Sequence, residues 1–399
     1  HPIYPATRWF HWEEARVNST VLSTKRLIWI GLIVAAVLLV ELAIGAGQSE
    51  ATLQAGTEFA PLPEVPVPID NPLTDDKVEL GRLLFFDPRM SGDGSISCNS
   101  CHPADAGWGA RTDISFGGPG TSHWRNAQTL LNVAYYNAFN WDGAKKSIEN
   151  QNSGAWGGAV AGNLDKVLGE ERLAQIPQYV ERFGDVFGTD TPRWDDALKA
   201  VASYQRTLVS VNVPFDAFIT GDTGAMTEQE QAGFDLFDGG AGCSSCHNGA
   251  LLSDNGYHAT GVPQNPEFLE SPLKQITFRY EQWAKGTPED VYRTATEDLG
   301  RFYVTKEESD KGAFRTPGLR DVCYTSPYMH NGVFSTLEEV VAFYNEGGGT
   351  ADNLDPLLSP LSLTDAEQAD LVAFLSTGLC GDEVTDTAPE LPPYGVIKP

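Results

Sequence analysis

Cys98-Asn99-Ser100-Cys101-His102 constrains this chain more than any other stretch. Two thiols three positions apart can add to the two vinyl groups of a haem while the imidazole that follows reaches the iron from one face, the covalent c-type attachment pattern. The pattern returns 145 residues later (243 − 98) as Cys243-Ser244-Ser245-Cys246-His247. A stray thiol pair, or half of a zinc site, would want further paired Cys or His ligands nearby, and none follow either motif. Two covalently bound haems are therefore expected, with His102 and His247 as ligands to their irons.

The chain has 399 residues, enough for two or three domains, and its 41% hydrophobic content is ordinary for a globular protein. The formal charge of −27, from 27 basic against 54 acidic residues, excludes nucleic acid as a partner and repels an anionic membrane surface. A basic redox protein would be steered towards such a surface, although acidity also serves plain solubility or salt adaptation. Four haem thiols taken from six cysteines leave Cys323 and Cys380. This pair is a candidate disulfide, the alternative being two separate buried thiols, and haem attachment of this type points outside the cytoplasm.

From Leu27 to Gly47 the chain is almost wholly apolar, broken only by Glu41, and long enough to span a bilayer. Arg8, Arg16, Lys25 and Arg26 precede the span, so a single-pass anchor would leave the N-terminus cytoplasmic and the haem domains periplasmic. A cleavable signal peptide, helped by the small residues from Ala43 to Gly47, is the rival reading. Glu41 inside the span, with Tyr4, Trp9, Phe10 and Trp12 ahead of it, fits an anchor packed against other membrane subunits, or a lone anchor whose Glu41 snorkels.

The expected fold is mainly α, with two cytochrome c-like haem domains preceded by a single transmembrane helix. In order these are an arm at 1–26, the anchor at 27–47, a Pro-rich, semi-extended linker at 48–76, a first haem domain at 77–215, a second at 216–381 and a tail at 382–399. Leu80, Leu83 and Leu84 recur at helical spacing before the first motif. Before the second, Thr227-Glu228-Gln229-Glu230 is a capping box that opens a helix stopped at Gly239-Gly240. Thr191-Pro192 starts a helical segment through Leu208, and Thr364-Asp365-Ala366-Glu367 opens a closing helix. Ser335-Thr336-Leu337-Glu338 opens another, which puts Leu337, Val340, Val341 and Tyr344 on one face, so that Tyr344 points inward.

Several further runs carry a family resemblance. They are Leu83-Leu84-Phe85-Phe86-Asp87-Pro88-Arg89, Arg125-Asn126-Ala127-Gln128-Thr129-Leu130-Leu131-Asn132, Trp141-Asp142-Gly143, Phe314-Arg315-Thr316-Pro317-Gly318-Leu319-Arg320 and Pro327-Tyr328-Met329-His330-Asn331-Gly332. Over roughly Leu80 to Gly378 the chain resembles the bacterial di-haem cytochrome c peroxidases and their relatives of the MauG type. The resemblance implies peroxide chemistry at the haem of His102 and electron transfer at the haem of His247, with a small soluble cytochrome c as redox partner. It makes Trp141 the indole between the haems, and Asn126 with the carbonyls of Thr325 and Pro327 the ligands of one calcium ion, an oxygen-only set that suits calcium. Tyr344 falls where typical peroxidases carry a methionine ligand and the MauG type a tyrosine; a hard phenolate favours ferric iron and lowers the potential.

The peroxide pocket departs from the family pattern. Gln151 matches a glutamine lining it, but the catalytic glutamate falls at Ala161, and the loop histidine of many resting peroxidases falls at Gly118. Cleaving peroxide requires moving a proton between its oxygens, a contribution of typically ~10²–10⁴-fold. His123, five residues beyond Gly118 in a Gly-rich loop, and Glu149 are the remaining proton carriers. Two readings stand: an oxidising enzyme, or a non-catalytic di-haem or structural subunit of a larger membrane complex.

Overall fold

The structure is a computed structural model that describes residues 58–395. Helices dominate it. In chain order they are α1 Asp75–Phe86, α2 Cys98–Cys101, α3 Ile148–Gly157, α4 Lys166–Ala174, α5 Pro177–Phe187, α6 Trp194–Gln205, α7 Pro214–Ile219 and α8 Glu228–Asp238. There follow α9 Pro266–Glu270, α10 Pro272–Ala284, α11 Glu289–Thr294, α12 Phe302–Thr305, α13 Leu337–Asn345 and α14 Asp365–Ala373. Among the described residues the sheet structure is one antiparallel pair, β1 Tyr257–Ala259 on β2 Ala313–Arg315, with Tyr257 opposite Arg315 and Ala259 opposite Ala313.

Local sequence explains most of these starts. Thr74 caps α1 and accepts from the Lys77 amide, with Asp75 and Asp76 complementing the first turn. The capping box of α8 forms between Thr227 and Glu230, and that of α14 between Thr364 and Glu367. At α13 the cap is one residue later than the sequence suggests. Thr336 caps the helix, and Glu339 reaches back to the amides of Thr336 and Ser335 at 3.2 and 2.6 Å. Helix α6 starts at Trp194 rather than at Thr191-Pro192, because Glu170 on α4 accepts the Trp194 amide at 2.8 Å and so supplies the cap from outside.

Each haem motif sits beside a crossed pair of helices. Leu80, Leu84 and Phe85 of α1 pack with Ala197, Ala200, Val201 and Tyr204 of α6 in one core, joined by Trp108, Tyr179 and Phe183. Phe237 of α8 packs with Leu371 and Phe374, Met226 and Phe215 in a second core. Both crossings depend on glycine. A Cβ on Gly81 would overlap the Ala200 carbonyl oxygen, and one on Gly233 would overlap that of Asp370. A third cluster joins Phe268 and Phe278, from the 266–284 segment, to Ile114, Trp124 and Val160 of the first half.

The two halves also share a longer repeat, offset by 189 residues (321 − 132). Asn132 and Asp321 both lie at positive φ (59° and 58°) ahead of the 3₁₀ turns Val133–Tyr135 and Val322–Tyr324. The bridge Phe139–Lys145 matches Tyr328–Phe334, and the caps Ser147 and Thr336 open α3 and α13. Within this frame Trp141 corresponds to His330, and Tyr344 to Ala155.

Two expectations about the chain ends change. The span at 27–47, the arm at 1–26 and the first part of the linker lie outside the described residues, and among those described no helix is long and apolar enough to cross a membrane. The single-pass membrane localisation read from hydropathy alone is corrected accordingly. The Pro-rich segment is held against the fold from Phe59 onward, where Phe59 packs edge-on to Phe215 and Phe234 at 5.6 and 5.4 Å. Pro63 accepts from the Tyr135 hydroxyl at 2.8 Å, and Ala60 from Arg320 at 3.0 Å. Cys323 and Cys380 form a disulfide.

Because backbone rather than a flexible side chain fills the space at both glycines, Gly81→Ala and Gly233→Ala should each cost about 1–3 kcal/mol of stability. Denaturant unfolding of the haem-loaded variants measures it.

Candidate functional site

Both attachment motifs are built on one tight turn, closed by the amide of His102 on the Cys98 carbonyl and that of His247 on the Cys243 carbonyl, each at 2.9 Å. Each imidazole then places Nδ1 3.1 Å from a backbone carbonyl, His102 on Trp108 and His247 on Leu252. A carbonyl can only accept, so Nδ1 carries the proton and Nε2 is left bare for iron. Burial lowers both imidazole pKa values and keeps the rings neutral. The accepting residues are themselves unusual. Trp108 and Leu252 are fully buried and stand at φ 57° and 56°. A bulky side chain pays about 1–3 kcal/mol for that conformation, which the packing around it has to offset.

A cavity of about 270 Å³ opens beside the second motif. Cys243, Cys246 and His247 line it, as do Tyr344 and apolar walls from Phe237, Leu319, Val341, Leu371 and Leu375. Such walls and donors fit a c-type haem. A zinc centre fits poorly: burial pushes the Cys98 and Cys243 thiols up to about 12 and about 11, away from thiolate. The one cluster with metal-ligand spacing among the described residues is Cys246, Asp254 and His258. His258 is already committed there, to Asp254 at 3.0 Å and Asp355 at 2.6 Å.

The same cavity reaches towards the first motif. Gln128, Asn126, Trp141 and His330 line it, and the Gln128 backbone lies beside the His102 ring. The Trp141 indole donates to the Asn126 carbonyl at 2.9 Å, and His330 stacks on Phe314 at 3.6 Å. The Asn126 side-chain nitrogen donates to Thr112 and Asp113 at 3.1 and 3.3 Å, which leaves its amide oxygen as the free end. Thr325 and Pro327 line the cavity with it, and among the described residues neither carbonyl accepts a protein hydrogen bond. This is an oxygen set without protein partners. Beneath it Arg125 pairs with Asp142 at 2.9 Å and with Asp298, all three buried.

The residues expected around peroxide are more dispersed. Gly118 and Ala161 meet: a Cβ on Gly118 would overlap the Ala161 carbonyl, and the Gly118 amide donates to Val160 at 3.0 Å. A histidine at Gly118 would therefore need the loop to move. Gln151 lies on α3 and His123 on the loop after the Phe116–Ser122 bridge, and neither lines the cavity. His123 stacks on Trp124 at 4.7 Å, with Nδ1 buried and without a partner. Glu149 is occupied by Arg206 at 2.8 Å and Asn71 at 2.9 Å. Burial alone would raise its pKa, but the Arg206 hydrogen bond and charge outweigh that and hold it below the usual range.

Residues 75–224 match the family model described as di-haem cytochrome c peroxidase. The chain is 52% identical over 357 residues to cytochrome-c peroxidase IdrP1 of Denitromonas iodatirespirans, covering 88% of this chain and 95% of the relative. The chain belongs to the di-haem cytochrome c peroxidase family. MauG of Methylorubrum extorquens is 35% identical, covering 82% of this chain and 85% of that one. Among solved structures, a MauG-like protein associated with microbial copper homeostasis superposes with a TM-score of 0.69 at 28% identity, over 81% of this chain and 95% of that one. The di-haem peroxidase BthA of Burkholderia thailandensis, at a TM-score of 0.58 and 23% identity over 84% and 94% of the two chains, shares the fold.

For this di-haem peroxidase family member, reading the sequence missed His330, the His258 pair and Ala155. The 189-residue repeat would have found the first and last. It sets His330 opposite Trp141, and it puts a methyl group in the first half where the second half presents the Tyr344 phenol.

Burial holds His330 down at about 3 and His123 at about 4, with the Arg125 charge adding to both. The unfolded chain takes up these protons near pH 6.5, whereas the folded chain resists until far lower. Their contribution is therefore complete above about pH 6.5 and is lost as pH falls towards 4 and 3. The melting temperature should drop between pH 7 and 4, with a shallower slope in His330→Gln.

Proposed function

We propose that this chain is a di-haem oxidoreductase that reduces hydrogen peroxide to two waters, taking two protons from solvent and two electrons, one at a time, from a small basic redox protein such as a soluble cytochrome c. The single observation that carries the reading is the continuous cavity, which runs from His247 and Tyr344 to Trp141 and to Gln128 at the edge of His102. When bound, the haems supply the redox-active iron at both ends of that line. His102 and His247 would each hold one iron through a neutral imidazole. Ala155, at the position matching Tyr344, offers no side-chain ligand in the first half, which would leave the haem there accessible to a small oxidant. The Trp141 indole, fixed by Asn126, lies on the route between the two halves.

Tyr344 is the residue proposed to close the second site. Burial pushes its phenol up, the neighbouring Cys243 and Cys246 thiols add to the shift, and the Thr260 hydroxyl opposes it. The phenol would give up its proton only to a strong positive charge such as ferric iron. The oxygens of Asn126, Thr325 and Pro327 are proposed to hold one calcium ion. That ion would fix the carbonyl on which Trp141 hangs. The formal charge of −27 supports a basic donor.

One observation favours the alternative, an electron-carrying subunit without peroxide turnover: no acid–base side chain stands at Ala161 or Gly118. Rapid mixing of the oxidised and half-reduced protein with hydrogen peroxide separates the two. The enzyme gives a fast spectral change that a reduced small cytochrome reverses, and the carrier gives only slow bleaching. Ala161→Glu should raise peroxide turnover by up to roughly 10²-fold. No gain would mean that the pocket lacks more than its proton carrier.

Calcium can be tested separately. Treatment with a calcium chelator should slow electron transfer between the haems and lower the melting temperature, added calcium should restore both, and Asn126→Ala should respond to neither.

A further inference from the structure

The segment beyond Gly381 has no periodicity and no helix or strand, yet it is held along its length. Its root is fixed in the second half by the Cys323–Cys380 disulfide, by the Gly381 amide on Asp321 at 2.9 Å and by the Tyr324 hydroxyl on the Gly381 carbonyl at 2.9 Å. It then crosses to the first core, where Val384 and Leu391 pack. Asp386 takes a paired hydrogen bond from Arg82 of α1 at 2.6 and 2.9 Å and a third from the Tyr204 hydroxyl of α6 at 2.7 Å. Arg89 donates to the Pro392 carbonyl at 2.8 Å.

Between these anchors lies the contact that matters most. The Val384 carbonyl accepts from the Trp108 indole at 2.6 Å, and the Trp108 carbonyl accepts from Nδ1 of His102 at 3.1 Å. Trp108 is fully buried and sits at φ 57°, a conformation its side chain does not favour. Something outside the local chain must keep it there. Phe85 and Tyr204 press on the indole edge-on at 5.6 and 6.0 Å, and Tyr204 is the residue that also holds Asp386.

We propose that the C-terminal strap, 382–395, is a positioning element for the first haem: through Val384 it fixes Trp108, and through Trp108 it sets the hydrogen bond that orients and polarises His102. Among the described residues no strap reaches the corresponding contact in the second half. Leu252, which accepts from His247, has no polar side chain through which to be held. The strap therefore acts on one haem and not on the other, although it is rooted beside the other. A weaker Nδ1–H···O=C bond makes the imidazole a poorer electron donor and destabilises ferric iron, so a loosened strap moves the first haem to a more positive potential.

The test uses the full-length, haem-loaded protein, Trp108→Phe, which keeps the ring packing and removes only the donor, and a chain ending at Glu383. A Cys98→Ala, Cys101→Ala variant assigns the signals of the first haem. Spectroelectrochemical titration and low-temperature EPR of the ferric protein are the readouts. In both altered proteins the midpoint potential of the first haem should rise and its EPR signal change, with both properties of the second haem unmoved. Equal movement at the two haems, or an unmoved first haem in Trp108→Phe, overturns the proposal. Should the shortened chain fail to take up haem, Trp108→Phe alone decides.

Discussion

The hydrogen bond from the histidine of each Cys-x-x-Cys-His motif to a buried backbone carbonyl is the constraint on which the rest of this structure depends. It sets the tautomer and aims the bare nitrogen, while burial keeps the ring neutral, and it does so twice with the same distance of 3.1 Å. Its requirement is severe, because the accepting residue has to turn its carbonyl back towards the histidine. The chain meets it with a left-handed residue, Trp108 in one half and Leu252 in the other. Left-handed backbone under a large side chain survives only where packing over-determines it. The two crossed helix pairs, each closed over a glycine, provide cores dense enough to do that.

Duplication and divergence share the remaining work. The repeated 3₁₀ turns, bridged loops and capped helices are scaffold, and the scaffold is nearly the same in both halves. Chemistry lies in what differs across it. An indole at Trp141 corresponds to an imidazole at His330, and a methyl at Ala155 to a phenol at Tyr344. The second pair is the more consequential. A phenol offers a metal a ligand and a methyl offers none, so the same helix position carries different chemistry in the two halves.

How legible this was follows from the range of the forces involved. The attachment motifs, the helical spacing of α1, the α8 and α14 starts and the inward face of α13 are set by residues a few positions apart, and they could be read directly. The disulfide was legible by subtraction, down to two alternatives. The late start of α6 was not, since its cap comes from Glu170 on another helix. The strap was not either. Segment 382–395 carries no periodicity because it makes no element, and its bonds run to residues such as Arg82 and Trp108, roughly three hundred positions away. Membrane spanning was read from hydropathy alone, and nothing among the described residues has the length or apolarity to carry it.

Arg125 shows why some of this had to be long-range. Its guanidinium is buried between Asp142, in the turn that carries Trp141, and Asp298, far along the chain beyond the 266–284 segment. Burying three charges costs desolvation that their attraction roughly repays, so the triad adds little net stability. Breaking it is another matter, because an unpaired charge left in that interior costs several kcal/mol. The triad therefore acts as a selector. Any arrangement that shifts the second half relative to the Trp141 turn strands a carboxylate or the guanidinium. Apolar packing alone, as between Phe278 and Trp124 nearby, would tolerate such a slip. A route for electrons is sensitive to distance and gains from an interface that penalises small displacements. An ionic core of low net worth and high specificity supplies that penalty at the point where the two halves meet.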